Sequence, residues 1–449
     1  MYPLADVLAV AKIHPFYTSN VQYPPDEDTI QAARERAALA PGEANLKAQP
    51  LLRKKDLYPT IERLTNDTSP QNTYRHNVYT STTGGGYGSK PLFFATDALE
   101  NRQQRANFGQ FLRNTGLIKY GDWVVTTHCG GDLYRSLDLT LEIMENAGAS
   151  ILAAGNNMHP TKVIQLLCEF HANVLTGDGS QVVQVVHYIS TLPTEEREKV
   201  KINKIIYTSE ALTAVQKSHI RAVLGSVKIY SVLGSAEAGP YGASNPDLTP
   251  TDHLESHEDF IIDTRMTLLE ILPLSFTEVP EGQTGIIAQT SLTRLRNPLV
   301  RYLTGDIGSL HPLPEQARAL IAEAHSPYLR ILRLQGRDRR FSFVWDGEYI
   351  EFEKLSLLMA DVDLGILQWQ VILDKMEPSK EASLEIRLLY SQRNANTLSE
   401  QAVVDRFRHF FNVYASNKHR FCITFVNDLT GFELSKTGRK VIKLVDRFT

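Results

Sequence analysis

The chain has little cysteine and no long apolar run. Its three cysteines, Cys129, Cys168 and Cys422, lie far apart in 449 residues and form no CxxC pair. This spacing argues against a disulfide framework and a cysteine zinc site, and it favours a reducing compartment. No run of about 18 apolar residues occurs, and no basic segment followed by an apolar one opens the chain. We therefore expect no membrane span and no signal peptide, and a cytoplasmic protein.

The chain also lacks a surplus of either charge. Lysine and arginine number 47 against 51 aspartates and glutamates, for a net charge of −4. Without a basic surplus we expect neither a nucleic-acid partner nor a membrane partner. The short basic run Arg53-Lys54-Lys55 is predicted to be a solvated face. The length of 449 residues exceeds what one core usually serves, which predicts two or more domains.

The middle of the chain alternates between strand-like and helix-like segments. Asp97 is predicted to cap the first of these helices, and Gly148 to end the second. The alternation predicts an α/β fold with a mainly parallel sheet, whose ligands bind beyond the carboxyl ends of the strands. The predicted strands lie at 123–127, 150–154, 173–176, 204–207 and 227–232, and the helices at 96–114, 133–146, 161–170, 181–189 and 213–224.

Strand-like segments predominate after about residue 259, at 260–263, 268–272 and 286–290, which predicts a β-rich subdomain. The glycine of Gln335-Gly336-Arg337-Asp338 lies among charges and is a candidate hinge. The rest of the chain predicts a small α+β domain. We therefore place an N-terminal domain at 1–335 and a mobile C-terminal domain at 336–449.

The most distinctive stretch runs from Tyr79 to Pro91. Glycines let a backbone approach a ligand closely with its N–H groups pointing inward, while hydroxyls and a lysine add donors for phosphate oxygens. The composition predicts a phosphate cradle, although an exposed hairpin loop explains it equally well, and the spacing is not that of a Walker A loop. The residues concerned are Thr80, Ser81, Thr82, Thr83, Gly84, Gly85, Gly86, Gly88 and Lys90.

Four other polar positions suit nucleotide chemistry. Glu237 follows a predicted strand and suits a Mg²⁺ ligand, and Asp306 follows a glycine-bent strand end, where it could hold ribose hydroxyls. Lys440, near the C-terminus, could bring a point charge to an anionic centre. His128 follows a strand and could face a pocket. Each of these residues also has a simpler interpretation. The two carboxylates could be exposed turn residues, the lysine could be solvated, and the histidine could be structural. Arg301 is expected to face a phosphate or to pair with a carboxylate.

Together and in this order, these motifs resemble the adenylate-forming superfamily of acyl-CoA synthetases, adenylation domains and luciferases, and within it most closely the phenylacetate–coenzyme A ligases. The 297–306 block, Asn-Pro-Leu-Val-Arg-Tyr-Leu-Thr-Gly-Asp, is similar to the family signature Pro-Leu-Ile-Arg-Tyr-Arg-Thr-Gly-Asp and is the most specific piece. The other similar pieces are the glycine-rich stretch, the adenine-side turn Tyr207–Leu212, the segment Gly234–Glu237, the hinge at Gly336-Arg337 and the terminal segment Lys440–Asp446.

The resemblance implies that the chain activates a carboxylic acid, aromatic by family expectation, with ATP. Pyrophosphate leaves, and the acyl-adenylate then passes its acyl group to CoA with release of AMP, which makes the chain an acid–thiol ligase. Implied cofactors are ATP, Mg²⁺ and CoA, and the implied partners are the small-molecule acid and ATP; a homodimer stays open. The C-terminal domain would close and rotate between the two steps.

Three departures from the family pattern keep other functions open. Leu233 replaces the aromatic residue that stacks on adenine, and Ala236 replaces the Ser/Thr before the glutamate. The post-hinge stretch at 346–349 also departs from the family sequence. The alternatives are an adenylating enzyme whose acceptor is an amine or a carrier-protein thiol, and a degenerate member that binds nucleotide without turnover.

By the resemblance, Lys440 and Glu237 are the catalytic residues, with Glu237 also the metal ligand and Lys436 in reserve for Lys440. Asp306 would hold the ribose and Arg337 the nucleotide near the hinge. The cofactor-binding set is completed by Thr80, Ser81, Thr82, Thr83, Gly84, Gly85, Gly86, Lys90, Ser209, Glu210, Ala211, Gly234, Ser235 and Ala236. The substrate pocket would be formed by His128, Gly130, Tyr134, Ser231 and Gly239.

Overall fold

The computed structural model describes residues 1–39, 44–82, 93–131, 133–209, 211–249, 257–273, 282–337, 342–346, 348–377, 381–391, 398–435 and 440–448. Across these residues no helix combines the length and the apolar character that crossing a lipid bilayer requires. The α-helices are α1 (Leu4–Ala11), α2 (Glu27–Leu39), α3 (Lys54–Asn66), α4 (Ala98–Asn114), α5 (Ser136–Ala147), α6 (Pro160–Glu169), α7 (Gly179–Thr191), α8 (Thr194–Arg197), α9 (Ala214–Leu224), α10 (Glu315–Arg318), α11 (Phe352–Met359) and α12 (Glu400–Phe410).

The same described residues contain the β-strands. They are β1 (Val78–Thr82), β2 (Phe93–Asp97), β3 (Trp123–Thr126), β4 (Ser150–Ala153), β5 (Val174–Asp178), β6 (Lys204–Thr208), β7 (Lys228–Ser235), β8 (Gly239–Ala243), β9 (Glu258–Asp263), β10 (Thr267–Leu272), β11 (Gly285–Ser291), β12 (Tyr302–Pro312), β13 (Leu329–Arg337), β14 (Ser342–Trp345), β15 (Glu348–Glu351), β16 (Ile366–Met376), β17 (Glu381–Tyr390), β18 (Phe421–Val426) and β19 (Leu444–Asp446).

Local capping explains where two of the helices begin and end. The Asp97 side chain accepts hydrogen bonds from the main-chain N–H groups of Leu99, at 2.8 Å, and Glu100, at 3.0 Å, and so caps α4. Gly148 follows α5 with φ of 95°, in the left-handed region that glycine favours. Both caps agree with the sequence prediction.

One compact unit consists of Met1–Val124, Gly130–Ala153 and Tyr230–Asp338. Its strands follow the order β10, β11, β12, β13, β9, β8 and β7, each antiparallel to the next. Buried apolar side chains such as Phe260 and Leu332 form a core on this sheet. The β-rich segment predicted after residue 259 is confirmed.

The other compact unit consists of Val125–Cys129, Ala154–Ile229 and Arg339–Thr449. In it β5 and β6 are parallel neighbours, and α7 packs against α9. Every residue of β5 is buried, as expected for a parallel strand that is covered on both faces. The parallel strands predicted from the alternating pattern are therefore present.

The last part of this unit has a sheet of its own, in the order β18, β17, β16 and β19. The central pair β16–β17 is antiparallel and the two outer pairs are parallel. Trp345, Leu355, Val371 and Phe407 are buried in its core. A separate C-terminal sheet with helices confirms the α+β part of the predicted fold, and the α/β class of the whole chain is confirmed with it. The boundary between residues 335 and 336, and the mobility of the C-terminal domain, stay predictions.

The β7–β8 hairpin differs from the sequence prediction. β7 continues to Ser235 rather than ending at residue 232, because it pairs with β8 through Ser235 and Gly239. The segment 239–243 carries no strand signal, since its two glycines and one proline are typical of a turn. The hairpin leaves residues 236–238 as the connection between the two strands, with Glu237 at its centre.

Candidate active site

The glycine-rich stretch connects two paired strands. β1 and β2 are antiparallel, with Thr80 opposite Ala95 and Thr82 opposite Phe93, so the stretch joins the ends of a hairpin. Ser81 is half-buried at the end of β1. The other predicted phosphate ligands, Thr83, Gly84, Gly85, Gly86 and Lys90, lie outside the described residues. The hairpin expected from composition is present, and the phosphate cradle stays a prediction.

The connection at 236–238 places Glu237 in a tightly packed setting. Glu237 is only 5% exposed. The Ser235 hydroxyl accepts a hydrogen bond from the Ala238 N–H at 3.0 Å, which fixes the turn. Gly239 has φ of 72°, and a Cβ there would lie 2.7 Å from the Gln104 side chain, so only glycine fits. The turn thus holds the predicted metal ligand in one orientation, and the exposed turn residue of the simpler interpretation is not what the structure contains.

Lys54 is the partner of the Glu237 carboxylate. Its ammonium lies 3.1 Å from Glu237 Oε1, and Lys54 is the first residue of α3. Leu57 and Ile61 of the same helix are buried in the core, which anchors the helix. The predicted solvated face of residues 53–55 is therefore wrong for Lys54, because this side chain reaches a buried carboxylate. The local sequence around Lys54 gives no indication of this ion pair, since Glu237 is distant along the chain.

Arg294 is a second cation at this turn, and sequence reasoning missed it. Its guanidinium donates a hydrogen bond to the main-chain oxygen of Glu237. The residue is 3% exposed, and burial lowers its pKa to about 10, opposed by the carboxylates of Glu100 and Glu237. An arginine within the apolar and hydroxyl-rich segment Ser291–Leu295, beside the 297–306 block, was the available sequence signal.

Asp306 and Arg337 are cross-strand neighbours. The two residues lie opposite each other in the β12–β13 pair. The Asp306 N–H donates to the Thr304 hydroxyl at 3.0 Å, which shapes the strand next to Gly305. The predicted ribose ligand and the predicted hinge arginine are therefore adjacent in the first unit. Their roles toward a nucleotide stay predictions.

Arg301 has a structural partner. Its guanidinium donates to Glu270 at 3.0 Å and to the main-chain oxygen of Gln49 at 2.7 Å. Of the two alternatives stated for this residue, pairing with a carboxylate is the one found. Arg301 therefore ties the N-terminal segment to β10 and β12.

In the second unit, His128 is held by two threonine hydroxyls. Its Nδ1 lies 2.9 Å from Thr126 Oγ1, and its Nε2 lies 3.0 Å from Thr208 Oγ1. The Thr208 hydroxyl donates to Asp178 at 3.2 Å, so it accepts from His128, which assigns the proton to Nε2. Asp178 is fully buried, and its other carboxylate oxygen has no partner among the described residues. These groups sit at the carboxyl ends of β3, β5 and β6.

The charge of Lys440 reaches this histidine. Burial lowers the pKa of His128, Asp178 opposes that change, and Lys440 reinforces it. The Lys440 main chain is fixed by Ser435, whose N–H donates to the Lys440 oxygen at 2.7 Å and whose hydroxyl accepts from its N–H at 3.1 Å. The structure thus places the predicted catalytic lysine near enough to the predicted pocket histidine for its charge to act on the imidazole. Lys436, the reserve lysine, lies outside the described residues.

The remaining predicted residues are distributed over both units. In the second unit Ser209 is exposed with φ of 71°, Ala211 is exposed, and Glu210 lies outside the described residues. In the first unit Ser231 is buried, and Tyr134 pairs through its main chain with Gly131. Gly130 is exposed. The structure therefore groups Ser81, Ser235, Ala236 and Gly239 around one cavity in the first unit, and His128 with Lys440 in the second.

Comparison with known proteins gives the fold and one distant relative. No family model matches the chain. An indoleacetate–lysine synthetase of Pseudomonas savastanoi is 27% identical over 240 residues, which are 52% of this chain and 53% of the relative. The match thus spans about half the length of that relative. The closeness to phenylacetate–coenzyme A ligases stays a prediction.

Solved structures of a 2-hydroxyisobutyryl-CoA ligase are similar over nearly the whole chain. The postadenylation state in complex with R3-HIB-AMP has a TM-score of 0.65 at 17% identity, covering 99% of this chain and 88% of that one. The thioesterification state, in complex with 2-HIB-AMP and CoA, has a TM-score of 0.57 at 17% identity, with the same coverage of 99% and 88%. The chain has the fold of the adenylate-forming ligases.

Proposed function

We propose that the chain activates a carboxylic acid with ATP and transfers the acyl group to an amine. In the first step a carboxylate oxygen attacks the α-phosphorus, and pyrophosphate leaves. In the second step the amine nitrogen attacks the acyl carbon, the bond to AMP breaks, and the nitrogen loses a proton. Transfer to phosphorus needs mainly positioning and charge stabilisation, so an extended set of acids and bases is not required.

The observation that carries the first step is the position of Lys440. Its charge acts on His128, which with Thr208 and Asp178 lies at the carboxyl ends of parallel strands, where ligands bind in such sheets. An ammonium at this position would stabilise the negative charge that develops at the α-phosphate. The buried Asp178–Thr208–His128 chain would hold the strand ends in place while the substrate changes.

Glu237 is the residue we assign to Mg²⁺. Its buried carboxylate already holds a cation, the Lys54 ammonium at 3.1 Å, so a cation fits at this oxygen. Among the described residues no group of three or more metal-binding side chains exists. A single carboxylate suits Mg²⁺ that arrives with a nucleotide, because phosphate and water complete its coordination. When bound, Mg²⁺ would neutralise charge on the departing pyrophosphate.

The remaining assignments follow the resemblance. Asp306 would bind the ribose hydroxyls, with Arg337 beside it on the next strand. Thr80 to Gly86 would hold the leaving phosphates, and Ser209 and Ala211 would border the adenine. His128, Gly130, Tyr134, Ser231 and Gly239 would border the acid.

An amine is favoured as acceptor by the relative that is named a synthetase of indoleacetate and lysine. CoA is the competing acceptor, implied by the resemblance to acyl-CoA ligases. A carrier-protein thiol is a third arrangement that leaves the activation step unchanged.

A panel of carboxylic acids that includes indoleacetate tests the first step. We expect pyrophosphate release that depends on both ATP and the acid, and Lys440→Ala serves as the inactive control. Absence of acid-dependent release with every acid would leave a nucleotide-binding protein without turnover.

The acceptor is tested with the best acid of the panel. Lysine, other amines and CoA are offered together, and the products are identified by mass. We expect an amide and AMP. A thioester as the main product would replace the amine by CoA and would leave the activation step standing.

A further inference from the structure

Arg294 carries a buried positive charge that forms no ion pair with any carboxylate of the described residues. It is 3% exposed, and its pKa of about 10 keeps it charged at neutral pH. The hydrogen bond to the Glu237 main-chain oxygen satisfies one of its N–H groups. Its Nε has no partner among the described residues.

The nearby carboxylates, Glu100 and Glu237, act on Arg294 through their charge but form no ion pair with it, and Glu100 Oε2 is buried without a hydrogen-bond partner among the described residues. Glu100 accepts a hydrogen bond from the Leu295 N–H at 2.9 Å, and Glu237 binds Lys54 at 3.1 Å. In the described part of the chain, no carboxylate is within ion-pair distance of Arg294. The glycine-rich stretch at 83–92 contains no aspartate or glutamate that could serve as the partner.

A buried guanidinium without a carboxylate in direct contact is costly, because burial removes its hydration and the more distant carboxylates replace only part of it. Such a group is expected where an anion arrives from outside the protein. Arg294 differs in this respect from Arg301 and Arg296, whose guanidinium groups pair with Glu270 at 3.0 Å and Asp97 at 2.8 Å.

Arg294 borders a small cavity in the first unit. The cavity has a volume of about 40 Å³, and it is also lined by the hydroxyl residues Ser81, Thr96 and Ser235 and by apolar side chains that include Phe94 and Leu139. The Ser235 oxygen already accepts from the Ala238 N–H, so its own O–H is oriented to donate elsewhere. One guanidinium and several hydroxyls around a space for a few atoms match the oxygens of a carboxylate or phosphate.

We propose that the cavity bordered by Arg294, Ser81 and Ser235 is an oxyanion-binding site of the activation reaction. This inference rests on the proposed function and names the group that the site takes: the carboxylate of the acid or a phosphate oxygen of ATP. Ser81 lies at the start of the glycine-rich stretch, and Ser235 lies two residues before Glu237, so the site joins the two segments assigned to phosphate and metal. Arg294 supplies the charge that these neutral hydroxyls lack.

Three variants test the site. Arg294→Met removes the charge at similar size, Arg294→Lys retains it, and Arg265→Met is the matched control, since Arg265 pairs with Asp263. Two constants are measured for each protein: the dissociation constant of a fluorescent N-methylanthraniloyl-ATP, and the KM of the acid found in the panel at saturating ATP.

We expect Arg294→Met to raise either the dissociation constant of the nucleotide or the KM of the acid by about tenfold or more. A tenfold change corresponds to about 1.4 kcal/mol. We expect Arg294→Lys to restore most of the loss and Arg265→Met to leave both constants unchanged. A change confined to the acid KM identifies the carboxylate as the bound oxyanion, and a change in nucleotide binding identifies the phosphate. A folded Arg294→Met protein with both constants within about twofold of the starting protein overturns the proposal.

Ser235→Ala keeps the test decisive if Arg294→Met does not fold. It removes a hydroxyl of the cavity and leaves the Arg294 charge in place, and it should raise the dissociation constant of the nucleotide or the KM of the acid. If Ser235→Ala leaves both constants within about twofold of the starting protein, the proposal fails. If no acid supports pyrophosphate release, the proposed function fails, but the oxyanion site does not fail with it. The dissociation constants of the variants for N-methylanthraniloyl-ATP then test the oxyanion site alone.

Discussion

The ammonium of Lys54 lies 3.1 Å from a carboxylate oxygen of Glu237. The lysine side chain is about one-third exposed, whereas the glutamate is nearly buried. The carboxylate thus has a cation that the protein itself supplies, and a divalent metal would use the same oxygen. Two cations cannot share that oxygen without repelling each other, so metal binding and the Lys54 contact compete.

Lys54→Met should therefore lower the Mg²⁺ concentration that gives half-maximal pyrophosphate release. We expect a shift of roughly fivefold, because a partly exposed ion pair contributes about 1 kcal/mol. The shift is measured by Mg²⁺ titration, and Mn²⁺ binding followed by electron paramagnetic resonance gives a readout that is independent of turnover. Lys55→Met is the matched control, since Lys55 is exposed. A higher Mg²⁺ requirement for Lys54→Met would contradict the competition.

Lys440→Ala should nearly abolish acid-dependent pyrophosphate release and leave nucleotide binding almost unchanged. The expected loss is at least about 100-fold, because a charge that acts on the transition state is removed. Release and N-methylanthraniloyl-ATP binding are measured on the same preparation. Lys375→Ala, which changes an exposed lysine of β16, is the control.

Lys436 is the alternative to Lys440 as the catalytic lysine, and the same assay on its variant can contradict the assignment of Lys440. If Lys440→Ala retains full activity while Lys436→Ala is inactive, the terminal lysine has been assigned wrongly. A second consequence is specific to Lys440: the pKa of His128 should rise in Lys440→Ala, because one of the causes that lower it is gone. The imidazole chemical shifts followed against pH report that change.

Sequence reasoning located the elements whose signals are local. Asp97 and Gly148 act on their own helices, and the buried run of β5 is visible in its composition. Lys54 and Arg294 carry no such local signal, because the role of each depends on a contact with Glu237. Glu237 is distant from both in sequence, and only the fold brings it near them. Motif reasoning placed Glu237 correctly on a turn and could not foresee the two cations around it.

The same limit applies to His128. The sequence predicts that His128 follows a strand, but it does not decide whether the side chain faces a pocket or has a structural role. The structure adds that both ring nitrogens are engaged by Thr126 and Thr208, one of which is 80 residues away in sequence. Long-range partners of this kind decide whether a histidine is fixed or free to move, and spacing rules do not contain them.

His14 should make stability depend on pH. It is fully buried, with Nε2 at 3.1 Å from Asn297 Oδ1, and burial lowers its pKa from 6.5 to about 3. Between these two pH values the unfolded chain binds a proton that the folded chain does not, so stability is lost as the pH falls below 6.5. The loss contributed by this residue is about 1.4 kcal/mol per pH unit.

Urea unfolding at pH 7.5 and 5.5 measures this contribution. His14→Gln should flatten the difference between the two pH values by about 1 kcal/mol, while exposed His76→Gln should leave it unchanged. An equal pH difference in His14→Gln and the starting protein would show that His14 is not the group responsible.

Gly177 should be intolerant of any side chain, because β5 passes close to the segment that carries His128. A Cβ at Gly177 would lie 2.2 Å from Thr127 Oγ1, far inside van der Waals contact. Thr127 is itself fixed, since its N–H donates to the Thr176 oxygen at 2.8 Å. Gly177→Ala should therefore lower the free energy of unfolding by about 2–3 kcal/mol. Thr127→Ala removes the clashing hydroxyl, so the double variant should regain most of that loss in urea unfolding. Additive losses in the double variant would place the strain elsewhere than at this contact.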